Sequence, residues 1–164
     1  MKQFKIFLAI FMSISISRII PHPPNFTLLI AISFYAPFFL GLRSIPLIII
    51  SFAITDFFIG YHNLTHWTWG SIFLIGLLSY FFTNSFISRI SGALTGTVIF
   101  FIITNFGVWA DGRYGYNFKG LVECYVLAIP FFKNNFLSTI LFSVIIELTN
   151  AYLKIKPKNF LKKN

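Results

Sequence analysis

Residues Ile90–Val108 read ISGALTGTVIFFIITNFGV, nineteen positions without one charged side chain. At 1.5 Å rise per residue such a run matches the hydrocarbon core of a bilayer, which asks for ~20 apolar residues in a helix. Ser88, Gly92 and Gly96 recur every four residues at its start, a flat stripe on which another helix can approach closely. Working outward, five further apolar runs of similar kind follow from hydropathy: Phe4–Ile20, Thr27–Leu42, Ile45–Gly60, Trp69–Thr83 and Phe136–Leu153. A seventh stretch, Gly120–Phe132, is apolar but short and carries Pro130 near its end, so it reads as a helix lying on or dipping into one face. The fold class expected is all-α and membrane-integral, with about six transmembrane helices plus a short surface or re-entrant helix. Residues 1–153 form a single transmembrane domain, and residues 154–164 form a basic tail.

Composition agrees with that class. Hydrophobic residues make up 57% of the chain and charged residues 10%, against roughly 25% charged in ordinary soluble domains. The mean hydropathy is +0.80. The 23 phenylalanines exceed what a soluble core of this length can bury, and lipid-facing surface can accept them. The net charge of +9 does not point to nucleic acid, because five of the thirteen basic residues crowd the tail. There positive charge holds a segment on the cytoplasmic side. With the N-terminus inside, nine basic residues lie on the cytoplasmic side (Lys2, Lys5, Arg43, Arg89 and the tail lysines). Four (Arg18, Arg113, Lys119, Lys133) lie outside. Both termini are therefore expected in the cytoplasm. Lys2, Lys5 and the Ser13-Ile14-Ser15 triplet resemble a signal peptide, but the apolar run continues to Ile20, and an uncleaved first helix is expected. Cys124 stands alone, which excludes a disulfide within the chain.

The polar residues are few and gather in four stretches that this topology places on the outer face. Pro21–Phe26 (PHPPNF) is stiffened by three prolines and holds His22, Asn25 and Phe26, either as a tight helix connector or as ligand contacts. Asp56 sits inside the third apolar run. A lone carboxylate in mid-membrane costs about 2.5–3.5 kcal/mol on insertion scales, so it needs a partner or a polar cavity, and Arg18 is the partner expected. His62 and His66 are four apart, a spacing compatible with metal ligation, yet the glutamate of an HExxH motif is missing and no metal is expected. Asn105 offers a donor and an acceptor, while Trp109, Tyr114 and Tyr116 offer flat surfaces or an interfacial girdle. Glu123, Cys124 and Tyr125 open the short surface helix. Glu147 in the last run serves either an internal pair or a partner contact. In the first run Ala9, Ser13 and Ser17 repeat every four residues, a stripe for internal packing or for docking a separate membrane partner.

Catalytic signatures are missing: the chain has no GxSxG, HExxH or P-loop sequence and no closely spaced acidic dyad. A binding role is expected, with no catalytic residues, no cofactor and no ATP hydrolysis of its own.

Three motifs, Arg18–Phe26 (RIIPHPPNF), Thr104–Trp109 (TNFGVW) and Cys124–Phe132 (CYVLAIPFF), resemble the signature stretches of a family of small bacterial membrane proteins described as transport proteins. That family is in turn similar to the substrate-binding S components of energy-coupling factor transporters. The resemblance implies a six-helix protein of the bacterial inner membrane that captures a vitamin or related micronutrient beneath its outer loops. A separate transmembrane coupling subunit and ATPases would supply the energy. The resemblance transfers no substrate contact residue by residue; from the polar outer stretches themselves, substrate contacts are expected among His22, Asn25, Phe26, Asp56, His62, Asn105, Trp109, Tyr114, Glu123 and Tyr125. The resemblance further implies partner docking at Ala9, Ser13 and Ser17, where this chain has serines in place of the usual alanines. The alternative is a non-transporting membrane scaffold or assembly protein.

Overall fold

A computed structural model describes residues 2–154; the tail expected at 154–164 lies outside the described residues beyond Lys154. Among the described residues the chain is all-helical: α1 (Lys2–Ile19), α2 (Leu29–Leu40), α3 (Ile45–Ile59), α4 (Thr65–Leu78), α5 (Phe86–Ala110), α6 (Phe118–Leu127) and α7 (Ile129–Leu153). Short 3₁₀ turns at Leu42–Ser44 and Ser79–Phe81 join the helices at one end.

The architecture is organised around α2. Ten of its twelve residues are buried, from Leu29 to Phe39, and it touches α3, α4, α5 and α7. A helix that is apolar on all sides belongs in the middle of a bundle. Gly92 and Gly96 of α5 let it approach: a β-carbon on Gly92 would fall 2.3 Å from the Phe34 ring, and Gly96 faces Ile75 and Ile30. The stripe on α5 therefore serves internal packing. One core cluster joins Ile30, Phe34, Tyr35 and Phe38 to Ile75 and Ala93. A second joins Ile10 and Ile14 of α1 to Ile48 and Phe52 of α3 and Ile72 of α4.

Three helical runs are long and apolar enough to cross a membrane: Leu42–Ile59, Phe86–Ala110 and Ile129–Leu153. The other expected crossings fall short for identifiable reasons. With 12 residues, α2 rises only about 18 Å, and its surroundings are protein, where full bilayer length is not required. In α4 there are 14 residues, and α1 carries Lys2, Lys5 and Arg18 within its 18. The outer surface still has membrane character. Leu8, Met12, Phe57, Phe58, Phe73, Ile102, Leu141 and Leu148 all point outward, a density of exposed apolar groups that water does not tolerate.

The stretch expected as one surface helix, Gly120–Phe132, is two elements. It breaks at Ala128, and Pro130 falls in the first turn of α7, where its missing N–H has no helical partner to lose. As a result α7 is seven residues longer at its start than the expected Phe136–Leu153.

At the end opposite the 3₁₀ turns, α5 outruns α2. From Gly96, opposite Ile30 near the start of α2, α5 continues fourteen residues to Ala110, about 21 Å. Part of that extra length is covered by α6, which folds back along α5: the Tyr125 hydroxyl donates to the Ile102 carbonyl at 2.7 Å, and the Cys124 thiol to that of Asn105 at 3.3 Å. The remainder, above the short α2, is open space.

Candidate functional site

That space is a cavity of two adjoining lobes, about 350 Å³ and about 270 Å³. Asn25, His62, Thr68, Phe100 and Asn135 line both. Residues from all seven helices and three loops therefore converge on one place at one end of the bundle, and the proline-rich turn and the end of α5 share its wall.

The turn is built by its sequence. The Phe26 amide donates to the Pro23 carbonyl at 3.0 Å, with Pro24 and Asn25 at the corners and Asn25 at φ 64°. This is the pattern of a type II turn, with proline at the first corner and a left-handed residue that asparagine tolerates at the second. The Pro24 carbonyl in turn accepts from Asn134 Nδ2 at 3.0 Å, tying the turn to α7. His22 Nδ1 lies 2.8 Å from the Pro23 carbonyl, which can only accept, so Nδ1 is the donor in this contact. His22 faces the smaller lobe and Asn25 faces both.

Asp56 finds the partner expected for it. Arg18 Nη2 is 2.7 Å from Asp56 Oδ1, and the other carboxylate oxygen accepts from Trp69 Nε1 at 3.1 Å. The Arg18 Nη1 group donates to the Thr55 hydroxyl and to the Phe52 carbonyl, and the guanidinium rests 4.2 Å above the Phe52 ring. Both residues line the smaller lobe with their charges already matched.

The larger lobe is walled by α5, α6 and the start of α7. Asn105 donates through Nδ2 to the Phe101 carbonyl at 2.7 Å, leaving its Oδ1 unengaged. Thr104 donates to the Phe100 carbonyl at 2.7 Å and keeps its lone pairs. Tyr114 lines this lobe from the loop after α5, where Gly112 (φ 81°) and Gly115 (φ 77°) supply left-handed corners. Cys124 is buried in the wall, and burial pushes its thiol pKa up.

Several expected contacts lie elsewhere. Phe26 packs on Phe142 outside the cavity, at a ring distance of 6.5 Å, along the groove beside α1. Trp109 does not line the cavity; it packs on Phe106 and Tyr116 and donates to the Asn117 carbonyl, which makes it part of the girdle holding the loop. Glu123 is exposed on the outer side of α6, because Cys124 takes the inward position. Tyr125 spends its hydroxyl on Ile102 and its ring on Phe101. His66 stacks near Trp67 in α4, whereas His62 lies before that helix begins, so the two do not share a helix face. Among the described residues no three His, Cys, Asp or Glu side chains come together as a metal site.

Among the polar lining residues, Thr68 and Asn135 escape sequence reading. Asn135 is the more telling of them. It is 6% exposed, faces both lobes, and its side-chain amide has no hydrogen-bond partner among the described residues. Its signal was available, since Asn135, Ser138, Thr139, Ser143 and Glu147 place a buried polar stripe on one face of α7 at helical period.

A family model described as a family of unknown function (DUF6580) matches residues 1–160. The chain belongs to this family. No curated protein and no solved structure matches it. Family membership assigns no ligand, so the chemistry of the cavity rests on the residues themselves.

The stripe on α1 is also placed. α1 packs mainly on α3, through Ile10 and Ile14, which leaves Ala9 exposed. Ser13 and Ser17 border a groove of about 520 Å³ shared with Phe26 and Phe142.

Proposed function

We propose that this protein is a membrane-embedded capture subunit for a small organic molecule, held in the two-lobed cavity and passed on with the help of a separate energised module. The observation that carries this reading is Asn135: a buried amide with no protein partner, facing a cavity at the point where its lobes meet. That amide opens onto the cavity, and a ligand meeting both its donor and its acceptor would make hydrogen bonds that the surrounding residues do not supply. The larger lobe falls within the range of small-molecule sites, a few hundred Å³ of mostly apolar wall with a few convergent polar groups.

In this reading α1, α2 and α4 complete a six-pass bundle of the bacterial inner membrane with both termini in the cytoplasm, and α6 lies at the outer face. The short α2 is what makes the pocket: the proline turn sinks above it and forms part of the cavity wall. The resemblance to energy-coupling factor S components supports the same arrangement, with ligand beneath the outer loops. The open stripe Ala9, Ser13 and Ser17 suits a transmembrane coupling subunit that docks through α1. No nucleotide-binding sequence occurs in the chain, so hydrolysis belongs to the partner ATPases.

The test is mass spectrometry of small molecules retained by the full chain purified in mild detergent from its native membrane. A stoichiometric molecule lost in Asn135→Leu supports capture. Retention of a protein partner with no small molecule favours a scaffold or assembly role.

A further inference from the structure

We infer that the molecule held is uncharged at neutral pH and is recognised as a planar ring bearing an amide-like edge, a donor beside an acceptor. This rests on the capture reading and names the ligand class for that site.

Arg18 and Asp56 are the only Arg, Lys, Asp or Glu side chains among the described residues lining the two lobes, and each already neutralises the other. Every remaining contact is committed too: Asp56 to Trp69, and Arg18 to Thr55 and the Phe52 carbonyl. A ligand carboxylate, phosphate or ammonium would therefore meet no free Arg, Lys, Asp or Glu there, with only the imidazoles of His22 and His62 beside an anion, and burying an unpaired ion is far costlier than burying a neutral polar group. Displacing one member of the pair would strand the other in the same low-dielectric surroundings.

Beside the imidazoles of His22 and His62, the unused hydrogen-bonding capacity is amide and hydroxyl. Asn135 offers both halves of its amide, and Asn105 offers its Oδ1. The Thr104 hydroxyl has spent its proton on the Phe100 carbonyl and can only accept. The Thr68 side chain has no partner. Side-chain amides pair best with a group that presents a donor and an acceptor side by side, as lactams, ureas and primary amides do. Phe100, Phe101 and Phe132 stand beside these groups, the last two with ring centroids 4.9 Å apart, and supply flat apolar faces for a ring.

The test uses the full chain in detergent and matched probes that differ by charge: nicotinamide against nicotinate, and riboflavin against its phosphate ester. Thermal stabilisation and retained-ligand mass spectrometry are read together. The expected result is a retained molecule without net charge at pH 7 and, within a pair that stabilises, preference for the neutral member. Asn105→Leu and Thr68→Val each weaken retention about tenfold, and ligand-free melting of each variant checks its fold. If the retained molecule is charged, or the charged probes stabilise better, the ligand class is wrong while capture stands. If both variants, melting as wild type, retain the molecule unchanged, the recognition scheme is wrong. If nothing is retained and no probe shifts melting, capture itself falls, and this inference with it.

Discussion

Arg89 at the start of α5 and Glu147 near the end of α7 form a buried bidentate pair, Nε to Oε1 at 2.6 Å and Nη2 to Oε2 at 2.5 Å. The remaining guanidinium nitrogen donates to the Asn84 backbone carbonyl and side-chain oxygen, both at 2.7 Å. The pair locks the two longest helices together at the end opposite the cavity. Removing one partner leaves a buried charge uncompensated, which costs about 3–5 kcal/mol, whereas replacing both with apolar groups is far milder. Glu147→Leu is expected to lower the melting temperature in detergent strongly, and the double variant Arg89→Met with Glu147→Leu to recover most of the loss. Equal melting of wild type and the single variant would show that the pair is not what holds these helices.

Gly120 sits closer against its surroundings than Gly76, Gly92, Gly96 or Gly107 does. A β-carbon there would lie 2.0 Å from the Tyr114 carbonyl oxygen and 2.7 Å from that of Gly115. Both neighbours are backbone and cannot rotate away. Gly120→Ala is expected to destabilise by about 1–3 kcal/mol, the scale of overpacking, and to loosen α6 from α5. Faster amide hydrogen exchange at 118–127, with α1 and α3 unchanged, is the readout. Unchanged exchange there would refute the packing.

Cys124 is buried in the cavity wall, with its thiol pKa raised by burial. The thiolate is the reacting form, so a raised pKa leaves less of it at neutral pH. Maleimide labelling of the folded chain should be slow at pH 7 and climb about tenfold per pH unit through the alkaline range, until the raised pKa is passed. Labelling as fast as in the denatured chain at pH 7 would contradict the burial.

Topology is open to direct measurement. In a Cys124→Ser background, Tyr61→Cys reports the loop between α3 and α4, and Arg43→Cys the opposite end; both positions are exposed. A membrane-impermeant thiol reagent applied to intact spheroplasts should label Tyr61→Cys and spare Arg43→Cys until the membrane is opened. The reverse pattern would invert the orientation drawn from lysine and arginine.

Hydropathy located every long helix, because burial in lipid or protein imposes the same apolar composition. That equivalence also hides a difference. Thr27–Leu42 reads like a lipid-facing crossing, whereas α2 is a short central helix enclosed by its neighbours. Composition reports that water is excluded, not what excludes it. The Arg18–Asp56 pair was legible because isolated charges in apolar runs must find each other. His22, Asn25, Asp56, His62, Asn105 and Tyr114 reached the cavity from the polar stretches. Trp109, Glu123 and Tyr125 came from equally polar stretches and did not, since one residue of helical phase separates an inward position from an outward one.

The order of amino acids alone determined an all-helical, lipid-compatible chain with its polar groups concentrated toward one end, because solvation depends on residue type. It could not decide that α2 stops some 21 Å short of the end of α5, nor that Asn135 stands unpaired where the resulting space divides. Those are matters of relative helix length and rotation, set only when the helices pack and each glycine stripe chooses its neighbour.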